Sequence, residues 1–380
     1  MDFHFTQEQE LFRQTVADFV EREVVPVAHE LDEREEFPWA LFRRVADLGW
    51  LGVRYPEAYG GAGADATTFN LMCEELARGS LSLAATVAMQ GLMGTDLIYR
   101  FGTEEQKQRL LVPALRGEKI GTIAMTEPGA GSDLGAIRTT AVRDGDGYRL
   151  KGTKMWITNA TVADFFTVAA KTDPGAGFKG VDLFLVERET PGLSVGRKIR
   201  KLGTRGSETS EVILDDVWVP HDHLLGGQEG TGMNLLRGIL NEIRVMTGAL
   251  SVGLARAALD AALRYAQERE AFGRPIVKFQ AIQHKLADMA TRLEAARTLV
   301  YRASWLIDRG TPDTKLSAMA KLFASEMAND VADETTRIFG AYGFAMEYEA
   351  QRYFRDARFL LYGGGTSEIL KNIIARELTR

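Results

Sequence analysis

A glycine-rich segment near the middle of the chain has the residue types that bind phosphate or polyol groups. Residues 125–133 read MTEPGAGSD, in which Thr126 and Ser132 carry hydroxyls while Gly129 and Gly131 leave the main chain accessible. Main-chain N–H groups and hydroxyls of such a turn can bind a phosphate or a ribityl chain. No Gly-Lys-Ser/Thr follows, and the G-x-G-x-x-G spacing of a dinucleotide fingerprint is absent. Alone, the segment also fits a plain turn.

Four other segments combine aromatic, hydroxyl and charged residues. They are residues 151–159 (KGTKMWITN), residues 269–275 (REAFGRP) with Phe279-Gln280 after them, residues 355–357 (RDA) and residues 365–369 (GTSEI). Each is a weak signal by itself, because a tryptophan in a strand usually packs in the core and an arginine at a helix end is usually a solvated charge. Their order along the chain is more informative than any one of them.

The sequence pattern divides the chain into three regions that must position these segments. Helical periodicity dominates residues 1–120, where Thr6 and Gln9 form a capping-box pattern before an apolar repeat. Short segments rich in Val, Thr, Phe and Ile, separated by Gly, Asp and Pro, fill residues 121–230 and are typical of strands. Long amphipathic helices return in residues 231–380. This order predicts an α+β fold with helical, β and helical domains.

The composition excludes several classes of protein. The chain has 380 residues, with 52 acidic against 46 basic side chains and a net charge of −6, and its bases are scattered, so we expect no nucleic-acid surface. A single cysteine, Cys73, excludes an intrachain disulfide framework and a thiolate cluster. No segment is expected to reach the roughly 20 apolar residues of a membrane helix, and the start of the chain lacks a signal-peptide pattern. The sequence predicts a soluble, cytoplasmic protein without a membrane span.

Together and in this order, the five segments make the chain resemble the acyl-CoA dehydrogenase family over essentially its whole length. The resemblance implies an N-terminal α-helical domain at residues 1–120, a middle β-barrel-like domain at residues 121–230 and a C-terminal four-helix-bundle domain at residues 231–380. It also implies a homotetramer with one non-covalent FAD per subunit. The enzyme would be an oxidoreductase that dehydrogenates the α,β bond of an acyl-CoA and passes electrons to an electron-transfer flavoprotein.

The resemblance assigns FAD-binding residues in two groups. Met125, Thr126 and Ser132 would contact the isoalloxazine edge and the phosphates, while Trp156 would lie against the flavin and Thr158 would hydrogen-bond near its N5. The second group would contact the adenosine side or the FAD of a neighbouring subunit. Its members are Arg269, Phe272, Gln280, Arg337 and Gly340 for the neighbouring subunit, and Thr366 and Glu368 for the adenosine side. Arg337 departs from the glutamine that is common at its position.

The family's reaction needs a carboxylate base, yet other residues occupy both positions where the resemblance expects it. The base removes the α-proton while the β-hydride goes to the flavin, and hydrogen bonds to the thioester oxygen stabilise the developing enolate. Most members have a glutamate at the position of Gly364, and a second group has it at Ile243, immediately before the helical Arg244. Gly364 keeps the main-chain N–H that would bond the thioester oxygen. The glycines at residues 363–365 also leave room for a branched or alicyclic acyl group.

Two acids are alternative candidates for the base. Glu242 is one residue from the second position, which turns its side chain by about 100° on a helix, so it would serve only on a locally bulged helix; a solvated charge is an equally good interpretation. Asp96 belongs to the helix of Met89 and Met93, where family members line the acyl pocket, and some relatives acting on alicyclic acyl-CoAs use an aspartate from that region. A half-buried polar residue is the simpler interpretation of Asp96. A third hypothesis is that the enzyme abstracts no α-proton in the usual way.

The remaining predictions concern CoA, metals and other functions. The resemblance places Asn241 at the pantetheine amide, Arg244 at the pocket wall and Ser132 on both ligands. No metal site is predicted, because the histidines of residues 221–223 (HDH) lie in a loop without further ligands. Two other functions stay open: a flavin-dependent oxygenase or oxidase on the same fold, and a catalytically silent acyl-CoA or acyl-carrier binding protein.

Overall fold

The computed structural model describes residues 4–379 and consists of helices, then a β-sheet, then helices again. The predicted α+β class is confirmed. The N-terminal part contains eight α-helices within these residues. Their bounds are Gln7–Phe19 (α1), Val25–Arg34 (α2), Trp39–Asp47 (α3), Ala66–Gly79 (α4), Leu81–Ala88 (α5), Asp96–Phe101 (α6), Glu104–Gln106 (α7) and Val112–Leu115 (α8).

A capping box begins α1, and π-helical turns follow α1 and α5. The Thr6 hydroxyl accepts a hydrogen bond from Gln9 N, and the Gln9 side chain accepts one from Thr6 N, which forms the predicted capping box. A π-helical turn at Val20–Val24 joins α1 to α2, and another at Met89–Met93 follows α5. Such turns are frequent at functional sites. The second one contains the two methionines that the resemblance places at the acyl pocket.

Two helical stretches are long and apolar enough to cross a membrane by length and composition alone, so the prediction that no segment reaches this limit is wrong. They are Leu81–Phe101 and Gly232–Glu268. In the most apolar stretch of 18 residues in each, 89% and 83% of the stretch is buried inside the protein. A helix that is apolar all round is found in a core as well as in a membrane. Here both apolar stretches are buried mostly against the rest of the chain.

The middle part is a seven-stranded sheet that forms a half-barrel. Its strands are Gly121–Ala124 (β1), Thr140–Asp144 (β2), Gly147–Thr158 (β3), Phe165–Lys171 (β4), Val181–Glu187 (β5), Leu193–Val195 (β6) and Thr209–Pro220 (β7). The strand order is β1-β4-β2-β3-β7-β6, with β5 paired to β4. The antiparallel β3–β7 ladder shifts register between Lys154 and Ile157, where a β-bulge re-aims the strand.

The C-terminal part is helical, as predicted, and has five helices among the described residues. They are Gly232–Glu268 (α9), Gln280–Asp308 (α10), Thr314–Phe339 (α11), Glu349–Leu360 (α12) and Ser367–Leu378 (α13), and a short hairpin of Glu270–Ala271 (β8) and Arg274–Pro275 (β9) follows α9. The three long helices pack on one another, while α12 and α13 pack against α11. The glycines at residues 363–365 separate α12 from α13, because Gly364 and Gly365 adopt positive φ.

A buried ion pair joins the three parts. Arg355 on α12 donates to both carboxylate oxygens of Asp32 on α2, and to Leu202 O in the β6–β7 loop at 3.1 Å. The neighbouring Asp356 accepts from Thr204 N at 2.6 Å. Burial, and then the nearby charge of Asp32, raise the pKa of Asp356 to about 6. The RDA segment thus connects the domains.

Candidate active site

A buried ion pair anchors the glycine-rich turn that follows β1. Lys154 on β3 is fully buried, with its Nζ 2.7 Å from Glu127 Oε1 and 3.2 Å from Met125 O. The Glu127 carboxylate also accepts from Arg138 N at 2.6 Å and from Thr139 N at 2.9 Å. Burial lowers the pKa of Lys154 to about 8, and contact with Glu127 opposes that shift. The turn is thereby fixed to β3.

The turn and the end of β3 bring together the two segments that carry the first group of predicted FAD-binding residues. Met155 N donates to Thr126 O at 2.8 Å, and Glu127 exchanges two main-chain hydrogen bonds with Ala130, which closes a tight turn. Ser132 is exposed a few residues later in the same segment. Thr158 O accepts from the Thr122 hydroxyl of β1 at 2.6 Å. These contacts hold the two segments in one rigid unit.

Trp156 is strained and exposed at the β-bulge. Its φ is 63°, and its large apolar side chain is 58% exposed. A left-handed non-glycine residue costs on the order of 1–3 kcal/mol and is found mostly where function requires it. An exposed aromatic ring in a strained segment is suited to stacking on a planar ligand.

Gly364 lies against α9, next to the second predicted base position. A Cβ atom on Gly364 would be 2.9 Å from Thr247 Oγ1 and 3.8 Å from Ile243 Cγ2. The two positions are distant in sequence but adjacent in space, and neither carries an acid. Thr247 donates its hydroxyl to Ile243 O at 2.8 Å. Gly364 has a φ of +72°, a left-handed conformation that favours glycine.

The arginine beside Ile243 is buried and has no acidic partner among residues 4–379. Arg244 is 8% exposed, its Nη1 donates to Asn241 Oδ1 at 3.3 Å, and its Nε has no hydrogen-bond partner. Burial, and then the positive charge of Arg376, lower its pKa. A buried guanidinium is costly without a counter-ion. Arg244 is therefore suited to receive an anionic group of a ligand.

The two alternative bases, Asp96 and Glu242, lie together in one ion cluster. Arg54 and Arg100 both contact Glu242, and Arg100 Nε lies 2.6 Å from Asp96 Oδ2. Burial raises the pKa of Asp96, while Arg54 and Arg100 oppose the shift. Asp96 is only 1% exposed, so its interpretation as a half-buried residue is wrong. α9 is an uninterrupted α-helix, so it lacks the bulge that Glu242 would need to reach Gly364.

A cavity of about 340 Å³ opens beside this cluster. Arg54, Arg100, Asn241 and Glu242 contribute to its wall. The Asn241 amide lies 3.3 Å from the Thr314 hydroxyl at the start of α11. The residue predicted to bind pantetheine thus lines an open cleft between α9 and the N-terminal part.

A buried lysine holds the loop that contains Gly364. Lys321 on α11 donates to Gly365 O at 2.8 Å and lies 3.5 Å from Leu361 O. Burial lowers the pKa of Lys321 to about 8. An ammonium bound to these carbonyls fixes the path of the main chain on both sides of Gly364.

The residues predicted for the adenosine side and a neighbouring subunit are half-buried or exposed. Thr366 caps α13 by accepting from Ile369 N at 3.4 Å, and Arg337 pairs with Asp333 at 2.7 Å on its own helix. The others, all exposed, are Arg269, Phe272, Gln280, Gly340 and Glu368. Phe272 is 96% exposed at the tip of the β8–β9 hairpin. The contacts with the adenosine side of FAD and with another subunit stay predictions for these residues.

No group of three or more His, Cys, Asp or Glu side chains could hold a metal ion within residues 4–379. In the His-Asp-His loop, His223 Nδ1 lies 2.8 Å from Leu185 O, and burial lowers the pKa of His223. Cys73 is a buried free thiol, and burial raises its pKa.

Comparison with known proteins decides the family. Profiles described as the N-terminal, middle and C-terminal domains of acyl-CoA dehydrogenase match residues 6–118, 122–217 and 230–379. The chain belongs to the acyl-CoA dehydrogenase family. It is accordingly an oxidoreductase of the acyl-CoA dehydrogenase type, and members of this family depend on FAD.

Similar acyl-CoA dehydrogenases and related proteins extend over the whole chain. Benzylmalonyl-CoA dehydrogenase of Aromatoleum aromaticum is 54% identical over 379 residues, with 100% of both chains covered. The 3-(aryl)acrylate reductase of Clostridium sporogenes is 41% identical over 377 residues, covering 99% of this chain and 100% of the relative. The structure of butyryl-CoA dehydrogenase from Megasphaera elsdenii has a TM-score of 0.97 at 38% identity, with 100% of each chain covered.

The site residues fit the FAD of this family. The strained, exposed Trp156 offers a stacking surface, and the anchored turn presents Gly129 and Gly131 with open space at their Cβ positions. Sequence reasoning missed Lys154 and Lys321, because lysines are almost never fully buried unless paired. The one hint in the sequence is that Lys154 lies between Gly152 and Trp156, within residues 151–159.

Proposed function

We propose that this acyl-CoA dehydrogenase oxidises an acyl-CoA whose α-carbon carries a free carboxylate and whose β-carbon carries an aryl group, with release of CO2. The observation that carries the proposal is the neighbourhood of Gly364, where Ile243 and Thr247 provide no carboxylate base. The name of the relative from Aromatoleum aromaticum supports it, because the α-carbon of benzylmalonyl-CoA bears both a thioester and a carboxylate. Such a substrate does not need its α-proton removed.

Loss of CO2 can replace the step that the missing base would perform. When the bond between the α-carbon and the carboxylate breaks, its electron pair remains on the α-carbon as a thioester enolate. That pair then forms the Cα–Cβ double bond as the β-carbon gives up a hydride. The substrate R–CH2–CH(COO⁻)–CO–SCoA becomes R–CH=CH–CO–SCoA, CO2 and the hydride. The FAD, when bound, supplies the acceptor for this hydride.

The protein's own residues bind and orient the thioester. The main-chain N–H of Gly364 is suited to donate to the thioester oxygen, which bears the enolate charge. Lys321 keeps that N–H in position by binding Gly365 O at 2.8 Å. Asn241 lines the cleft that would take the pantetheine chain. Hydrophobic burial of Ile243 keeps water from the face above the α-carbon.

An aryl group is the preferred β-substituent in this proposal. The glycines at residues 363–365 remove side-chain volume near the reacting carbons, which gives a branched substrate room. Met89 and Met93 are partly buried in the π-helical turn, and methionine side chains pack well against aromatic rings. Two relatives are named for compounds that share an aryl group on a three-carbon acyl chain, benzylmalonyl-CoA and 3-(aryl)acrylate.

The proposed partners follow from the family. Electrons would pass to an electron-transfer flavoprotein, and the subunits would form a homotetramer in the cytoplasm. Exposed apolar side chains at one end of the C-terminal part, with Phe272 at 96% and Phe344 at 92%, support a subunit contact there. The predicted FAD contacts of Arg269 and Gln280 belong to the same end of the molecule.

Anaerobic mixing with two matched substrates tests the proposed reaction. The FAD-loaded enzyme should be bleached by 2-benzylmalonyl-CoA with release of one CO2 per flavin reduced. 3-Phenylpropionyl-CoA, which differs only by the α-carboxylate, should react about 10²–10⁴-fold more slowly because no base removes its α-proton. Equal bleaching rates, or bleaching without CO2, would overturn the decarboxylating mechanism. Oxygen consumption by the reduced enzyme would indicate an oxidase, and a spectral shift without bleaching a binding protein.

Neutralising the two acids of the ion cluster should destabilise the protein without abolishing its chemistry. Glu242→Gln leaves Arg54 and Arg100 with less counter-charge, and a buried ion pair that loses one partner costs about 3–5 kcal/mol. We expect a lower melting temperature for Glu242→Gln and Asp96→Asn, with the bleaching rate by 2-benzylmalonyl-CoA within about threefold of wild type, far below the loss expected for a general base. A fall of more than about 10²-fold at unchanged melting temperature would identify that acid as the base.

A further inference from the structure

The buried guanidinium of Arg244 has charge but no acid to neutralise it among the described residues. Its Nε lacks a hydrogen-bond partner, and its Nη1 binds only the neutral amide oxygen of Asn241. After burial, the positive charge of Arg376 lowers the pKa of Arg244 further. By contrast, the other buried arginines of the site, such as Arg54, contact acids directly. Arg244 is thus an anion site for which residues 4–379 supply no anion.

The position of Arg244 relates this site to the reacting carbons. It follows Ile243, whose Cγ2 lies 3.8 Å from the Cβ position of Gly364, and it precedes Thr247 by three residues on the same uninterrupted helix. Residues three apart lie on one helix face. A side chain at residue 364 would therefore meet the helix face that carries Arg244 and Thr247. Neither predicted base position carries an acid in this chain, whereas the arginine is present.

We propose that Arg244 binds the α-carboxylate of the substrate and thereby selects α-carboxylated acyl-CoA thioesters. The inference rests on the proposed function, because it takes the α-carboxylate from the substrate class proposed there. The carboxylate of the substrate then supplies the negative charge that Ile243 and Gly364 cannot. A planar guanidinium holds such a group in a fixed orientation through two parallel hydrogen bonds.

Arg244 acts on binding and orientation more than on bond breaking. A carboxylate paired with an arginine is stabilised in the ground state, so pairing alone does not speed the loss of CO2. Arg244 would orient the substrate instead. It would hold the bond between the α-carbon and the carboxylate perpendicular to the plane of the thioester, beside the apolar Ile243. Loss of Arg244 should therefore raise KM and weaken ligand binding more than it lowers kcat.

Two CoA thioesters that have no hydrogen on a β-carbon measure this binding without any dehydrogenation. Malonyl-CoA carries an α-carboxylate, and acetyl-CoA is the same molecule without it. Calorimetric titration of the FAD-loaded enzyme should give tighter binding of malonyl-CoA than of acetyl-CoA. In Arg244→Met we expect this preference to fall by about tenfold or more, while the affinity for acetyl-CoA and free CoA stays unchanged. Arg244→Lys keeps the charge but not the planar fork, so it should retain part of the preference.

Arg237 provides the matched control. It is exposed on the same helix, with Nη1 bound to Asn234 Oδ1 at 3.2 Å, so Arg237→Met should leave both affinities unchanged. The ligand-free melting temperature is a second readout. Removing a buried charge that has no counter-ion should not lower it, whereas removing a structural arginine would.

The outcomes separate this inference from the proposed function. Equal weakening of malonyl-CoA, acetyl-CoA and CoA in Arg244→Met would show that the arginine binds the CoA moiety and would overturn the inference. An unchanged preference, or no preference in wild type, would also overturn it. If the preference depends on Arg244 but 2-benzylmalonyl-CoA yields no CO2, the inference holds and the decarboxylating reaction is wrong. If Arg244→Met does not fold, the preference in Arg244→Lys and the wild type decides.

Discussion

Replacing Gly364 by glutamate in a Thr247→Ala background is expected to turn the enzyme toward ordinary α-proton abstraction. A carboxylate at residue 364 would lie above the α-carbon at the position where the resemblance expects the base. A positioned general base contributes about 10²–10⁴-fold to rate, so oxidation of 3-phenylpropionyl-CoA should rise by about that factor. Anaerobic flavin bleaching in a stopped-flow spectrometer measures the change.

The second substitution is needed because of space. A Cβ atom on Gly364 would be 2.9 Å from the Thr247 hydroxyl, which is closer than a normal contact. Thr247→Ala removes that hydroxyl. The positive φ of residue 364 remains and costs roughly 1–2 kcal/mol for a residue other than glycine. The double variant should therefore be less stable than Thr247→Ala alone, without losing its fold.

The new glutamate should also change substrate selection. It would pair with Arg244, so the guanidinium would no longer be open to the substrate's α-carboxylate. Bleaching by 2-benzylmalonyl-CoA should therefore slow while bleaching by 3-phenylpropionyl-CoA accelerates. Gly364→Gln with Thr247→Ala is the matched control, because it has the same shape without a base. If the glutamine variant gains as much activity as the glutamate variant, a base at residue 364 is not the reason.

The sequence predicted the parts of the site that depend on residue type and order. The helical–β–helical arrangement follows from periodicity, and the capping box at Thr6 follows from two side chains three residues apart. The two predicted base positions came from the family resemblance, and Gly364 and Ile243 do lie side by side. Sequence and structure agree where a feature depends on residues close together in the chain, or on the regular spacing of residues along a helix.

The sequence did not predict which charged side chains would be buried together. Asp32 and Arg355 come from opposite ends of the chain, and Arg54 reaches Asp96 and Glu242 from a turn between α3 and α4. Such pairs depend on how the domains pack, and no spacing in the chain encodes that packing. For this reason the sequence suggested a half-buried polar residue for Asp96 and a solvated charge for Glu242 as the alternatives to a base, whereas arginines hold both acids. The two apolar helical stretches could be mistaken for membrane spans for a related reason. Burial inside a protein and burial in lipid require similar residues.

Replacing Lys154 by methionine is expected to release FAD. The substitution keeps an unbranched apolar stem but leaves the Glu127 carboxylate, which is 7% exposed, without its ammonium partner. A buried ion pair that loses one member costs about 3–5 kcal/mol, and the turn can avoid this cost by opening to water. Opening would move Met125 and Thr126 away from β3, because Lys154 Nζ binds Met125 O and Met155 N binds Thr126 O.

The expected loss of FAD is large because the turn positions ligand groups through its main chain. A penalty of about 3 kcal/mol corresponds to a factor of about 10² in the FAD dissociation constant. The ratio of flavin to protein absorbance after gel filtration, with titration of added FAD, measures it. Lys151→Met on the same strand is the control, because Lys151 is exposed. Its ion pair with the exposed Asp215 is long, at 3.8 Å. The double variant Lys154→Met with Glu127→Gln removes both charges and should recover part of the affinity, because no buried carboxylate is left unpaired. Full FAD retention by Lys154→Met would mean that the remaining hydrogen bonds of Glu127, to Arg138 N and Thr139 N, suffice to hold the turn.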